Sequence, residues 1–210
     1  MSEKYITVSH LSKKIGKAKV LKDISFLLAQ NKVMGLQGIN GSGKTMLLRA
    51  MAGLIRFEGK ITVDGKDIIG KEYDHNLGVL IEHPGFLSEF TAMENLELLS
   101  MIQTGIGKEE ILQALHDVGL SPEDKRKYKK FSLGMKQRLG VAQAILGRPK
   151  LILLDEPTNG IDKDGMKLMA ELIQNLKKEG STVIIASHDK EFLQEVTDEI
   201  HCVEGGELIW

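Results

Sequence analysis

The chain has 210 residues, 42% of them hydrophobic, and a formal net charge of −1. That length suits one α/β domain with room for an inserted subdomain, and the near-neutral balance argues against a general affinity for nucleic acid or anionic lipid. A single cysteine, Cys202, excludes an internal disulfide and points to a reducing compartment.

The N-terminus, Met1-Ser2-Glu3-Lys4-Tyr5, has no apolar core of the kind a signal peptide carries. Residues 5–8 and 20–28 read as strands, the second alternating through Leu21, Ile24, Phe26 and Leu28. Residues 33–37 form a short buried strand, and 46–51 a helix closed by Gly53. Between them stands Gly38-Ile39-Asn40-Gly41-Ser42-Gly43-Lys44-Thr45, which fits G-x-x-x-x-G-K-[ST]. The residue types follow from the task of wrapping a phosphate chain in backbone N–H groups. Glycine lets the backbone approach, and the following helix offers free amides and its positive dipole end. Lys44 supplies a point charge for the β- and γ-phosphates, and the Thr45 hydroxyl is a ligand for Mg²⁺.

Residues 59–63 then read as a strand ending in the hairpin turn Asp64-Gly65, and 77–81 as another buried strand. From residue 91 to about 130 the texture is helical. Thr91-Ala-Met-Glu94 is a capping box that opens a helix over about 92–103, and 108–118 forms another, with Ile111, Leu112 and Leu115 on one face. Lys125, Arg126, Lys127, Lys129 and Lys130 form a basic cluster, which reads as a solvated helix end, the alternative being an orienting contact with anionic lipid or an acidic partner. Ser132 caps a helix running to about 147, which Pro149 ends. The α/β alternation resumes with strands at 151–154 and 182–186, helices at 163–178 and 190–196, and a final hairpin of 200–203 with 207–209. Cys202 reads there as a small core residue. The longest apolar runs, 151–154 and 183–186, are too short to cross a bilayer, so work at a membrane would need another chain to hold the protein there.

A phosphate-cradling loop needs a carboxylate for the metal at the tip of a neighbouring buried strand. Leu151-Ile-Leu-Leu154 buries such a strand, and Asp155 emerges at its end. Glu156 follows directly and is the candidate to accept a proton from an attacking water.

These residues, with Ser132-Leu-Gly-Met-Lys-Gln137, Leu154-Asp-Glu-Pro-Thr-Asn159, Gly160-Ile161-Asp162 and Ser187-His188 in that order, resemble the ATP-binding subunit of an ABC transporter over about residues 5–208. The resemblance implies an α/β fold: a P-loop NTPase core with an antiparallel β subdomain and an inserted all-helical subdomain. One domain would fill 1–210, with 1–84 and 146–210 forming the core and 85–145 the helical part that carries the signature motif. It implies ATP and Mg²⁺ as ligands, with the cation on Thr45, Asp155 and Glu82. It also implies a second ATP-binding subunit, homo- or heterodimeric, paired head to tail. Each ATP would lie between one P-loop and the partner's Ser132 and Gly134. His188 would contact the γ-phosphate and Asp162 would lie at the subunit interface, though alone it reads as an N-cap.

The pattern departs from the family's common form at several places. Leu133 and Met135 interrupt the usual Leu-Ser-Gly-Gly-Gln. Glu82, in Leu80-Ile81-Glu82-His83-Pro84, stands where glutamine is usual, and with the Ser-Leu-Gly-Met-Lys-Gln-Arg segment it resembles the bacitracin and lantibiotic-immunity branch of exporters. Ile15 holds the place of the aromatic residue that stacks on adenine, which implies weaker discrimination between ATP and GTP. The expected function is a transport-coupled ATPase on the inner, cytoplasmic face of the cell membrane, bound to a membrane-spanning permease and to no nucleic acid. A soluble ABC-type ATPase of DNA repair or translation is the alternative. The transported substrate would be chosen by the permease.

Overall fold

The computed structural model describes residues 4–69, 76–82, 85–102 and 105–209. His83, Pro84 and the expected helix end near Gln103 lie outside the described residues. Among those described, the chain opens with a long antiparallel hairpin of β1 (Lys4–Ile15) and β2 (Ala18–Ala29). Both strands run past the stretches of clear alternation. Register shifts near left-handed His10 (φ 51°) and Asp23 (φ 52°) carry the pairing across polar residues. The strand β3 (Val33–Gln37) follows, then α1 (Lys44–Met51), β4 (Glu58–Val63) and β5 (Lys66–Asp67). The Asp64-Gly65 turn, at φ 51° and 73°, joins β4 to β5 and completes an antiparallel sheet of order β2-β1-β4-β5.

The second sheet adds β6 (Leu77–Leu80), β7 (Leu151–Asp155), β8 (Thr182–Ser187), β9 (Glu199–Glu204) and β10 (Glu207–Ile209), in the order β10-β9-β3-β8-β7-β6. All neighbours are parallel except β10 with β9. Every residue of β7 and β8 is buried, as an apolar strand covered on both faces must be. Alternate residues feed opposite cores. Ile152 and Leu154 pack with the helices on one side, and Leu151 and Leu153 with α1 and the antiparallel sheet on the other. Cys202 corrects the core position expected of it. It is exposed, because β9 turns His201 and Val203 inward and Cys202 to the other face.

The helical insert contains α2 (Ala92–Ser100), α3 (Lys108–Asp117) and α4 (Leu133–Ile145). The capping box forms: Thr91 Oγ1 accepts from the Glu94 N–H at 3.2 Å, and the Thr91 N–H donates to Glu94 Oε2 at 2.6 Å. Four residues short of the expected Pro149, α4 gives way to Leu146, whose extended backbone leads into Gly147 (φ 74°). The basic cluster is largely neutralised by Asp124, Glu94 and Glu89, which pair with Arg126, Lys127 and Lys129. α5 (Lys163–Lys178) and α6 (Lys190–Val196) cover the sheet beyond the insert. Among the described residues no helix is long and apolar enough to cross a membrane.

Candidate active site

The C-terminal tips of β3, β7 and β8 point to one edge of the sheet, where parallel strands and helix N-termini build ligand sites. Gly43 caps α1 with φ 116°, a backbone that favours glycine, and so turns the loop into the helix with its first amides unpaired. Lys44 is buried, and its Nζ donates to the carbonyls of Gly38 at 2.6 Å and Ile39 at 3.2 Å. Thr45 Oγ1 donates to Asp155 Oδ2 at 2.6 Å. Burial pushes the Asp155 carboxyl above the ordinary aspartate range. The Thr45 hydrogen bond opposes this, and the neighbouring Glu156 and Glu82 charges add to it.

Glu156 adopts a left-handed backbone, φ 48°, fixed from both sides of its peptide. Its N–H donates to the Ala186 carbonyl at 2.8 Å, and its own carbonyl accepts from Gln137 Nε2 at 2.8 Å. The carboxylate is held as closely. Oε2 meets His188 Nδ1 at 2.8 Å and accepts from Ser187 Oγ at 3.3 Å. Oε1 is buried with no hydrogen-bond partner among the described residues, 3.6 Å from Lys44 Nζ. A cleft of about 290 Å³ opens between the loop and these residues, walled by Asn40, Gly41, Gly43, Lys44, Thr45, Asp155 and Glu156.

Glu82 stands apart from that cleft. It lines an adjoining one with Gln137, Asp155, Glu156 and Asn159, and its Oε1 pairs with Arg49 Nη2 at 2.6 Å. Ser132 and Gly134, at the start of α4, line neither. Ser132 Oγ accepts the Met135 N–H at 3.2 Å, and a Cβ on Gly134 would come within 2.6 Å of the Gly160 carbonyl. Asp162 caps α5 by accepting the Gly165 N–H at 2.9 Å. Ile15 ends β1 at the hairpin tip, 53% exposed and off the cleft wall. Lys19, Val20, Gly205 and Gly206 also line the first cleft, although no local pattern singles them out; Gln137 lines the second, and Arg49 reaches that one only through Glu82. Arg49 lies one helical turn beyond Thr45 on α1.

The Thr45 hydroxyl and Asp155 carboxylate offer adjacent hard oxygen donors. That set fits Mg²⁺, which takes one or two carboxylates and fills its shell with phosphate and water oxygens. Among the described residues no group of three acidic, histidine or cysteine side chains could hold a metal without such help.

The family described as ABC transporter matches residues 21–159. An uncharacterised ABC transporter ATP-binding protein of Bacillus subtilis, YybJ, is 44% identical over 92% of this chain and 89% of its own length. The lantibiotic transport ATP-binding protein SrtF of Streptococcus pyogenes is 35% identical over 97% of this chain and 89% of its own. The bacitracin transport ATP-binding protein BcrA of Bacillus licheniformis is 39% identical over 97% of this chain and 68% of its own. A solved ATP-binding subunit of an ABC transporter superposes with a TM-score of 0.86 at 25% identity, covering 97% of this chain and 88% of that one.

Proposed function

The chain belongs to the ABC transporter ATP-binding family, and from that premise we propose that it hydrolyses ATP to drive a membrane-spanning permease exporting an antimicrobial peptide or similar amphipathic compound. The transport names of SrtF and BcrA support export of this class over a role in DNA repair or translation. The carrying observation is the placement of Glu156. Its carboxylate sits 2.8 Å from His188 Nδ1 and 3.6 Å from Lys44 Nζ, beside the Thr45–Asp155 pair.

In this reading the loop from Gly38 to Gly43, the α1 amides and Lys44 hold the phosphate chain. Thr45 and Asp155 hold Mg²⁺, which when bound neutralises phosphate charge. Glu156 accepts the proton of the attacking water, with its orientation kept by Ala186, Gln137 and Ser187. His188 senses the γ-phosphate through the same carboxylate. Catalysis is mostly positioning and electrostatics. The second wall of the site comes from Ser132 and Gly134 of another copy or a paralogue, and Asp162 lies between the two. The chain works on the inner face of the membrane. There it binds the permease.

The test is Glu156→Gln. Hydrolysis falls about 10²–10⁴-fold, the usual worth of a positioned base, while equilibrium ATP binding persists. Wild-type turnover in that variant overturns the assignment.

A further inference from the structure

Glu82, Asp155 and Glu156 face one cleft beside the Thr45 hydroxyl. Carboxylates so grouped attract divalent cations whether or not a nucleotide is present. Yet among the described residues no three acidic or histidine side chains come close enough together to hold a metal. The Glu82 carboxylate is already engaged. Its Oε1 is engaged by Arg49 Nη2 at 2.6 Å. Arg49 lies on α1 one helical turn beyond Thr45, so a single helix presents the hydroxyl and the guanidinium on one face. Glu82 holds a left-handed backbone, φ 61°, which residues with a Cβ adopt only under constraint.

We propose that Arg49 is a positioning residue that holds the Glu82 carboxylate away from Asp155, so that the cleft accepts a divalent cation only together with a nucleotide's phosphates. Glu82 joins Asp155 and Thr45 as a further oxygen donor once Arg49 releases it. The glutamate at this position then adds a ligand without making the empty protein a cation trap. This inference rests on the reading of the cleft as a metal–nucleotide site.

The experiment is Mn²⁺ binding to the nucleotide-free full chain, followed by electron paramagnetic resonance. Arg49→Met raises the affinity for Mn²⁺ about tenfold, the scale of one freed charged ligand. Adding Glu82→Gln to Arg49→Met erases the gain. Arg49→Lys keeps the charge but loses the planar fork, and gives a smaller gain that Glu82→Gln also erases; it serves if Arg49→Met does not fold. Wild-type Mn²⁺ affinity in both Arg49 variants overturns the proposal, as does a gain that survives Glu82→Gln. If the wild type hydrolyses ATP while the variants bind Mn²⁺ unchanged, only the role of Arg49 falls.

Discussion

Burial holds the Asp155 carboxyl above the ordinary aspartate range, and the sign of that shift has a consequence for stability. Between the unfolded and folded values the native state binds more protons than the unfolded chain, so stability falls as pH rises through that window. The deficit sets in as pH rises past the ordinary aspartate range and grows until the folded carboxyl is also ionised. Asp155→Asn keeps the shape and the acceptor for Thr45 but removes the charge. The variant is expected to melt above the wild type at neutral pH. The gap should shrink in acid, and magnesium-dependent ATP binding should weaken. Thermal unfolding without nucleotide at two pH values checks this. A variant no more stable than the wild type at neutral pH would show that burying Asp155 carries no penalty.

The same linkage runs with opposite sign where elements are tied together. Asp198 stands just before β9. It accepts the Val33 N–H at 2.8 Å, Lys177 Nζ at the end of α5 at 2.6 Å, and Lys32 Nζ at 3.3 Å. Burial pushes its carboxyl up, but the bonds from Lys177, Val33 and Lys32 outweigh it, and the net shift is downward. A lowered folded value contributes stability above the ordinary aspartate range, lost as pH falls through it. Asp198→Ala should therefore destabilise by about 1–3 kcal/mol at neutral pH, the usual penalty for orphaning a buried donor. Urea titrations should show the difference narrowing below about pH 4, and a difference independent of pH would mean the ion pairs are idle. At this scale the sequence was most legible where one rule acts alone. The wholly buried, apolar-centred β7 and β8, the capped α2 and α4 and the bounds of α5 and α6 follow from periodicity and caps. The full lengths of β1 and β2 do not, because bulges let polar residues continue a ladder. The outward turn of Cys202 depends on which face of β9 is covered. The loop at Gly38–Thr45 and the Asp155-Glu156 pair can be read locally. The grip of Gln137 on the Glu156 carbonyl and of Arg49 on Glu82 cannot, since each joins elements that meet only in the fold.

Across the whole molecule, what stands out is the distance in role between two helix N-termini. The start of α1 completes the nucleotide cleft, while the start of α4, with Ser132, Leu133 and Gly134, lines neither that cleft nor its neighbour. In the head-to-tail pairing proposed above, a sandwiched ATP would set the exposed α4 terminus of one chain on the phosphates of the other. Leu133 is 52% exposed there, and its side chain lies over Gly160, the residue that leads into Ile161 and Asp162. As the first residue of α4 it tolerates an acid well, because a negative charge complements the helix dipole. Leu133→Glu is therefore expected to leave the monomer folded and able to bind ATP, while placing like charge against the partner's phosphates. Light scattering after size exclusion should find Glu156→Gln with ATP at twice the mass of the 23.3 kDa chain, and the Leu133→Glu/Glu156→Gln double variant at the monomer mass under the same conditions. A double variant that still dimerises with ATP would place the second wall of the site somewhere other than the start of α4.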